Sequence, residues 1–318
     1  MTRRTPASLL PIDVEVLRLA VRFTAIRPVH ATSWTGASPW TVRASLRRLT
    51  DVGALTSRPV VIALRDRSGT IRPAPTVVYS ATGKGATYAG AWTVPGYEDL
   101  VSLTAARPSA ALADHTDGVT GLACWYRHYG YTVVAEREIL SLERPSALHR
   151  DRRPIARWSV PLSSIGQSIH PPDLVAVAPD GTGWAVELER ATKSVANYVE
   201  VIGAYRAAQV PQVWHVLSNA TAKRLAEACR KLGIVVRPDP ASGANVSADG
   251  LFRLQGWAPG RAAGGGPEGW HPNRLIPGSP PAGLPAPREL PDLSRTWRRG
   301  VALSPDEAAL GPGSVMVA

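Results

Sequence analysis

The sequence predicts a multi-domain α/β protein, and three observations carry that expectation. Apolar residues at helical spacing are followed by two β-rich runs between residues 9 and 92; helical and strand patterns alternate between 108 and 238; and all periodicity is lost from Gly256 onward. At 318 residues the chain has room for about two globular domains. Its 44% hydrophobic and 19% charged residues suit a soluble globular protein. No apolar run reaches the length of a bilayer span. Arg3 and Arg4 precede only Leu9 and Leu10 before Pro11, so a secretory apolar core is absent and a cytoplasmic location is expected.

Charge narrows the partner class. Lysine and arginine total 36 against 25 acidic residues, a net charge of +11. Lysine occurs only at Lys84, Lys193, Lys223 and Lys231, so nearly all of the positive charge is arginine. The planar guanidinium fork suits phosphate and guanine, although GC-rich coding enriches arginine without functional meaning. This balance favours a nucleic-acid partner. No basic helix with a large apolar face points to a membrane surface, and none is expected as a partner. Cys124 and Cys229 are too few for a disulfide framework or a four-thiolate zinc site and read as buried thiols. Cys124 and His128 are four apart on one helix, a spacing compatible with metal, but two ligands do not make a zinc site.

In the first block, Leu10, Val14, Leu17 and Val21 mark an amphipathic helix over 12–23, and a short second helix covers 29–35. Ser38 offers an N-cap oxygen and Pro39 needs no amide partner in the first turn, so a third helix starts sharply there and ends near Gly53. Val42, Leu46 and Leu49 form its buried stripe. Trp40, Thr41, Arg43, Ala44, Arg47 and Arg48 are then expected to point away from the core. Two strands over 60–64 and 76–80 flank a basic turn that includes Arg67 and Arg72. Three helices followed by a basic hairpin is the order of an N-terminal winged helix-turn-helix, whose third helix enters the major groove of duplex DNA. Thr82-Gly83-Lys84-Gly85 lacks the spacing of a phosphate loop and reads as a turn into a closing helix.

The second block opens with a long helix over 109–130 and a strand over 131–140. Two further strands flank the Asp180-Gly181 turn signal. By alternation Asp173 shares a face with Val175 and Val177, and Glu187 and Glu189 share one with Ala185. If the faces coincide, three carboxylates converge. Such a cluster suits Mg2+ or Mn2+, with Asp173 and Glu187 as metal ligands, and a bound ion would polarise a phosphodiester. A solvated hairpin whose acids merely flank a turn is the bland alternative, in which no cofactor is needed.

Pro172-Asp173, thirteen residues, then Glu187-Leu188-Glu189 resembles the acidic signature of the PD-(D/E)XK nuclease superfamily. The order of elements also agrees, with a helix over 193–208, a strand over 212–217, a helix over 221–232 and a last strand over 234–237. The resemblance implies a restriction-endonuclease-like α/β domain over 108–238 with a central mixed sheet, and a catalytic set of Asp173, Glu187, Glu189 and Lys193. Glu189 stands where lysine is usual; Lys193 is the nearest substitute cation and Arg190 the next. The two halves together resemble the replication-relaxation family of actinobacterial plasmids and mobile elements, over about residues 10–238. That resemblance implies a double-stranded DNA-binding protein of plasmid replication or DNA relaxation, acting either as a metal-dependent nickase or as a non-catalytic regulator. A homodimer and replication proteins are further partners under this reading. The glycine- and proline-rich tail over 256–318 is expected to be irregular and lies outside the resemblance.

Overall fold

The structure is a computed structural model. It describes residues 9–65, 71–94, 97, 100–106, 109, 112–143, 158–162, 168–179, 181–238 and 245–256. Arg67 of the expected basic turn and the expected tail beyond Gly256 lie outside these residues. Two compact units are present, the first holding residues up to 94 and 100–128, the second residue 97 and 129–256. Among the described residues no helix is long and apolar enough to cross a membrane.

The first unit begins with α1 (Pro11–Phe23), α2 (Pro28–Thr35) and α3 (Pro39–Asp51). Proline in the first turn of each supplies a fixed φ where no amide bond is required. The Ser38 side chain accepts a hydrogen bond from the Thr41 amide, so α3 starts where the cap predicts. Strands β1 (Leu55–Arg65) and β2 (Ile71–Ala81) pair antiparallel over their full length and are roughly twice as long as the sequence pattern implies. Pro59, Pro73 and Pro75 interrupt the β signal but not the ladder, because a proline is tolerated where its missing amide would face outward. Ile26 exchanges two backbone hydrogen bonds with Tyr79, adding a single rung of a third strand.

The Thr82 turn leads into α4 (Gly83–Ala89), capped by its hydroxyl. At Gly85 a Cβ would come within 2.0 Å of the Ala54 carbonyl oxygen, so this close backbone approach requires glycine. The short pair β3 (Trp92–Thr93) and β4 (Leu100–Val101) follows. Next comes α5 (Ala113–His128), which belongs to the first unit and not to the second block as its sequence position suggests. The reason is a buried bidentate pair between Arg27 and Asp117, beside His30, which ties α5 to the start of α2. Cys124 and His128 form no metal site with described neighbours; the Cys124 thiol donates to the His30 carbonyl, and burial first of all pushes its pKa up to about 12.

The second unit is built on a seven-stranded sheet, counted among the described residues. Strand β5 (Thr132–Ala135) is much shorter than expected, because the chain turns at once into α6 (Glu136–Glu143). Glu138 explains the switch: its carboxylate accepts from the Ala135 amide, an N-terminal helix cap inside a run that looks β-rich. The hairpin β6 (Val160–Leu162) and β7 (Ser168–His170) stands apart from the main sheet. Then come β8 (Leu174–Val177), β9 (Gly183–Glu189), α7 (Val195–Ala207), β10 (Gln212–Val216), α8 (Asn219–Lys231), β11 (Val236–Pro238), β12 (Asn245–Ser247) and β13 (Phe252–Gly256).

The sheet order is β11-β12-β13-β10-β9-β8-β5. Strands β5, β8 and β9 are antiparallel neighbours, whereas β9, β10 and β13 run parallel. The domain therefore extends to Gly256 and not to 238. Tyr198 and Ile202 of α7 and Leu225, Ala228 and Cys229 of α8 pack with Trp214 and Val216, which defines the helix-covered face of β10. Tyr205 and Val210 continue that core over Ala185 and Val160.

On the other residue parity, His215 of β10 and Arg253 of β13 are buried. Burial, helped by the Arg253 charge, pushes the His215 pKa down to about 3. The unfolded chain therefore takes up this proton first as pH falls, so the stability contribution is complete above about pH 6.5 and is lost toward pH 3. Urea unfolding at pH 7.0 and 5.5 should show a loss of about 1 kcal/mol from this one group. His215→Gln should show a correspondingly smaller change between the two pH values.

Candidate functional site

Helix α3 presents a continuous exposed stripe. Trp40 is 78% exposed, and Arg43 and Arg47, three and seven residues on, are exposed as well. Thr41 is half-buried, and its hydroxyl is hydrogen-bonded to Ser38. Arg72 on β2 is exposed. Arg48 differs from its expected placement, because its guanidinium turns back to Asp13 of α1 at 2.7 Å. Asp13 is buried and also accepts from the Ser45 hydroxyl and the Leu10 amide. Burial alone would raise the Asp13 pKa, but the Arg48 and Ser45 hydrogen bonds outweigh it and hold the carboxyl below its ordinary value. Arg48 is thus a strut between α1 and α3. Helical phase puts it at the margin of the outward set, where a long side chain can reach inward.

In the second unit, the register Val175↔Ala185 and Leu174↔Val186 brings the two acid-bearing faces together. Asp173 precedes Leu174 as Glu187 follows Val186, so they are the next cross-strand neighbours on the face of Val175 and Ala185. The parallel pairing Trp214↔Glu187 and Val216↔Glu189 puts both glutamates on the face covered by α7 and α8. The three acids share a face, yet each is engaged differently. Asp173 accepts the Leu188 amide at 2.7 Å, its side chain standing in for a ladder carbonyl past the end of β8. One oxygen of Glu187 accepts from the buried Tyr205 hydroxyl at 2.7 Å and faces His170 Nε2 at 2.9 Å. Glu189 meets the Lys193 ammonium at 2.8 Å.

The sequence pattern places Lys193 inside a helix. It lies instead in the loop before α7, which Ser194 caps. Its amide donates to the Tyr198 hydroxyl, and its carbonyl accepts from Arg224. The loop is therefore held at both ends of the residue, and the ammonium is delivered to Glu189 from there.

Burial opposes charge on Lys193, but Glu189, Glu187 and Asp173 outweigh it and raise the lysine pKa. Burial also raises Glu189, and Lys193 offsets it only in part. For His170, burial is outweighed by Glu187 and then Asp173, so its pKa is raised. Among the described residues no group of three or more His, Cys, Asp or Glu side chains is arranged to hold a metal ion.

Sequence reasoning missed His170 and Tyr205. His170 sits three residues before Asp173 on a separate hairpin, and nothing in its spacing announces contact with Glu187. Tyr205 was findable: Tyr198, Ile202 and Tyr205 form the i, i+4, i+7 stripe of α7, and the last of them reaches the acids.

No protein-family model matches the chain, and neither a curated protein nor a solved structure matches it.

The Glu189–Lys193 pair has a defined pH signature. Glu189 is only 4% exposed, so Lys193→Met leaves a carboxylate that is costly to ionise. Because a raised folded pKa makes ionisation oppose folding, Lys193→Met should lower the urea midpoint at pH 7 and lose less as pH falls through the Glu189 pKa. Adding Glu189→Gln should restore most of the midpoint at pH 7.

Proposed function

We propose that the chain binds double-stranded DNA through α3 and the β1–β2 hairpin. The observation that carries this reading is the exposed stripe of Trp40, Arg43 and Arg47 on a sharply capped helix, followed by a long hairpin. Three helices, the Ile26–Tyr79 rung and that hairpin support a winged helix-turn-helix, in which α3 is the element that enters the major groove. Arg72 extends the basic surface along the hairpin. The resemblance to the replication-relaxation family supports a role in plasmid or mobile-element replication or DNA relaxation, with a second copy of the chain and replication proteins as candidate partners.

A second reading, metal-dependent nicking of DNA, is favoured by one observation: an ammonium, Lys193, stands at the acidic face even though Glu189 occupies the usual lysine position. The order of the β8–β9 hairpin, α7, β10, α8 and β11 supports the PD-(D/E)XK resemblance. Asp173 and Glu187 would hold Mg2+ or Mn2+; ions of this kind are bound by one or two carboxylates together with water and phosphate oxygens, which a two-acid set fits. When bound, such an ion polarises the phosphodiester and acidifies the attacking water. Tyr205 and His170 fix the orientation of Glu187, and Lys193 supplies positive charge against the charge that grows on the phosphate. Without turnover the same face serves as a scaffold in a non-catalytic DNA-binding regulator.

Two measurements test these readings. Double substitution of Arg43 and Arg47 by alanine should weaken binding to a selected duplex at least about tenfold and flatten the slope of log K against log salt by about one for each phosphate that is no longer neutralised. Equal binding by variant and wild type would remove α3 as the reading surface. Supercoiled plasmid incubated with Mg2+ or Mn2+ should be nicked by wild type and left intact by Asp173→Asn; plasmid left intact by both would leave the regulator reading in place.

A further inference from the structure

Trp40 is a large apolar side chain that the fold does not use. The other large apolar residues of α3, Val42, Leu46 and Leu49, are fully buried, whereas Trp40 is 78% exposed and has no ring, hydrogen-bond or ion-pair partner among the described residues. Its backbone is nonetheless rigidly set, between the Pro39 first turn and the Ser38 cap. An exposed indole held in a fixed place within an arginine stripe is arranged for an apolar contact made in the presence of negative charge.

The chemistry of the indole selects a base. It offers an apolar ring and one N–H donor, and no acceptor. In the major groove adenine presents an acceptor beside a donor, cytosine a donor, and guanine two acceptors without a methyl group. Thymine alone presents a methyl group together with an acceptor oxygen, the match to an indole edge. Arg43 and Arg47, by contrast, have the fork that pairs with the two acceptors of guanine. Along the helix Arg43 lies three and Arg47 seven residues beyond Trp40, which, at about three residues per base for a helix in the major groove, corresponds to about one and about two base steps.

Resting on the duplex-binding reading above, we propose that Trp40 is a specificity-determining residue that reads a thymine in the major groove, with the guanines taken by Arg43 and Arg47 about one and about two steps away. The contact is with the C5 methyl and O4 of that thymine. It explains why the most exposed tryptophan among the described residues of the first unit stands in the first turn of α3 and not on any surface the fold buries.

The test uses the full chain. Wild type is used to enrich duplexes from a random pool, and each thymine of the preferred site is then replaced singly by deoxyuridine, which removes only the methyl group. At one thymine the wild-type affinity should fall about fourfold, the effect of one buried methyl group, while Trp40→Ala should bind thymidine and deoxyuridine duplexes equally and more weakly than wild type binds the thymidine duplex. The exposed, unpartnered position predicts an unchanged urea midpoint for Trp40→Ala, so lost discrimination would not reflect unfolding. Tolerance of deoxyuridine at every position by wild type, or methyl discrimination retained in full by Trp40→Ala, overturns the inference while leaving duplex binding intact. Failure of wild type to retain any duplex at low salt overturns the duplex-binding reading and this inference with it.

Discussion

Strand β9 is paired on both sides, antiparallel to β8 and parallel to β10, and the acidic face depends on that double register. A strand alternates its side chains with a period of two, so a slip of one residue would turn Glu187 and Glu189 to the face of Leu188 and Trp184. Two independent ladders make such a slip expensive. The Asp173 carboxylate reinforces the register by accepting the Leu188 amide, so one acid helps to position the other two. At the start of the strand, Gly183 lies so close to Trp158 that a Cβ would approach the indole to 2.4 Å, which pins that end of β9 as well.

A comparable device operates in the first unit. Asp13 is buried at the start of α1 and collects three donors, from Leu10, Ser45 and Arg48. A buried carboxylate is stable only when its oxygens are satisfied, and here the donors come from two helices, so satisfying the charge fixes the angle at which α3 is presented. The bidentate Arg27–Asp117 pair does the same for α5. The Arg22 and Arg127 guanidinium groups lie over the Trp34 ring at 4.9 and 4.4 Å from its centroid, which adds two cation–π contacts to the same junction. The interior of this unit is thus stapled by charge as well as by apolar contact.

Much of the architecture was legible where local chemistry decides it. Ser38-Pro39 marks the start of α3, the turn at Thr82 announces α4, and strict alternation puts Glu187 and Glu189 on one face. The features that escaped depend on contacts distant in sequence. Ser109 onward reads as the opening of a new domain, yet Asp117 answers Arg27 ninety residues earlier. The run 131–140 looks extended until Glu138 caps a helix within it. Strand β13 lies beyond the elements the sequence pattern outlines; it alternates Phe252 and Leu254 with Arg253 and Gln255, and only the structure reveals that Arg253 is buried. For the candidate site the acids were readable from their spacing and Tyr205 from the buried stripe of α7, but His170 arrives from a different hairpin, and pairwise contact of that kind leaves no local periodicity.

The prolines of the β1–β2 hairpin have a consequence beyond geometry. An eleven-residue two-stranded ribbon leaves long rows of backbone donors that invite another chain to add a strand. Since the β1–β2 ladder runs unbroken through Pro59, Pro73 and Pro75, the amides they lack belong to the outward rows. The ribbon, with Val61 and Val77 open to water, is thereby a poor template for edge-to-edge pairing with another chain.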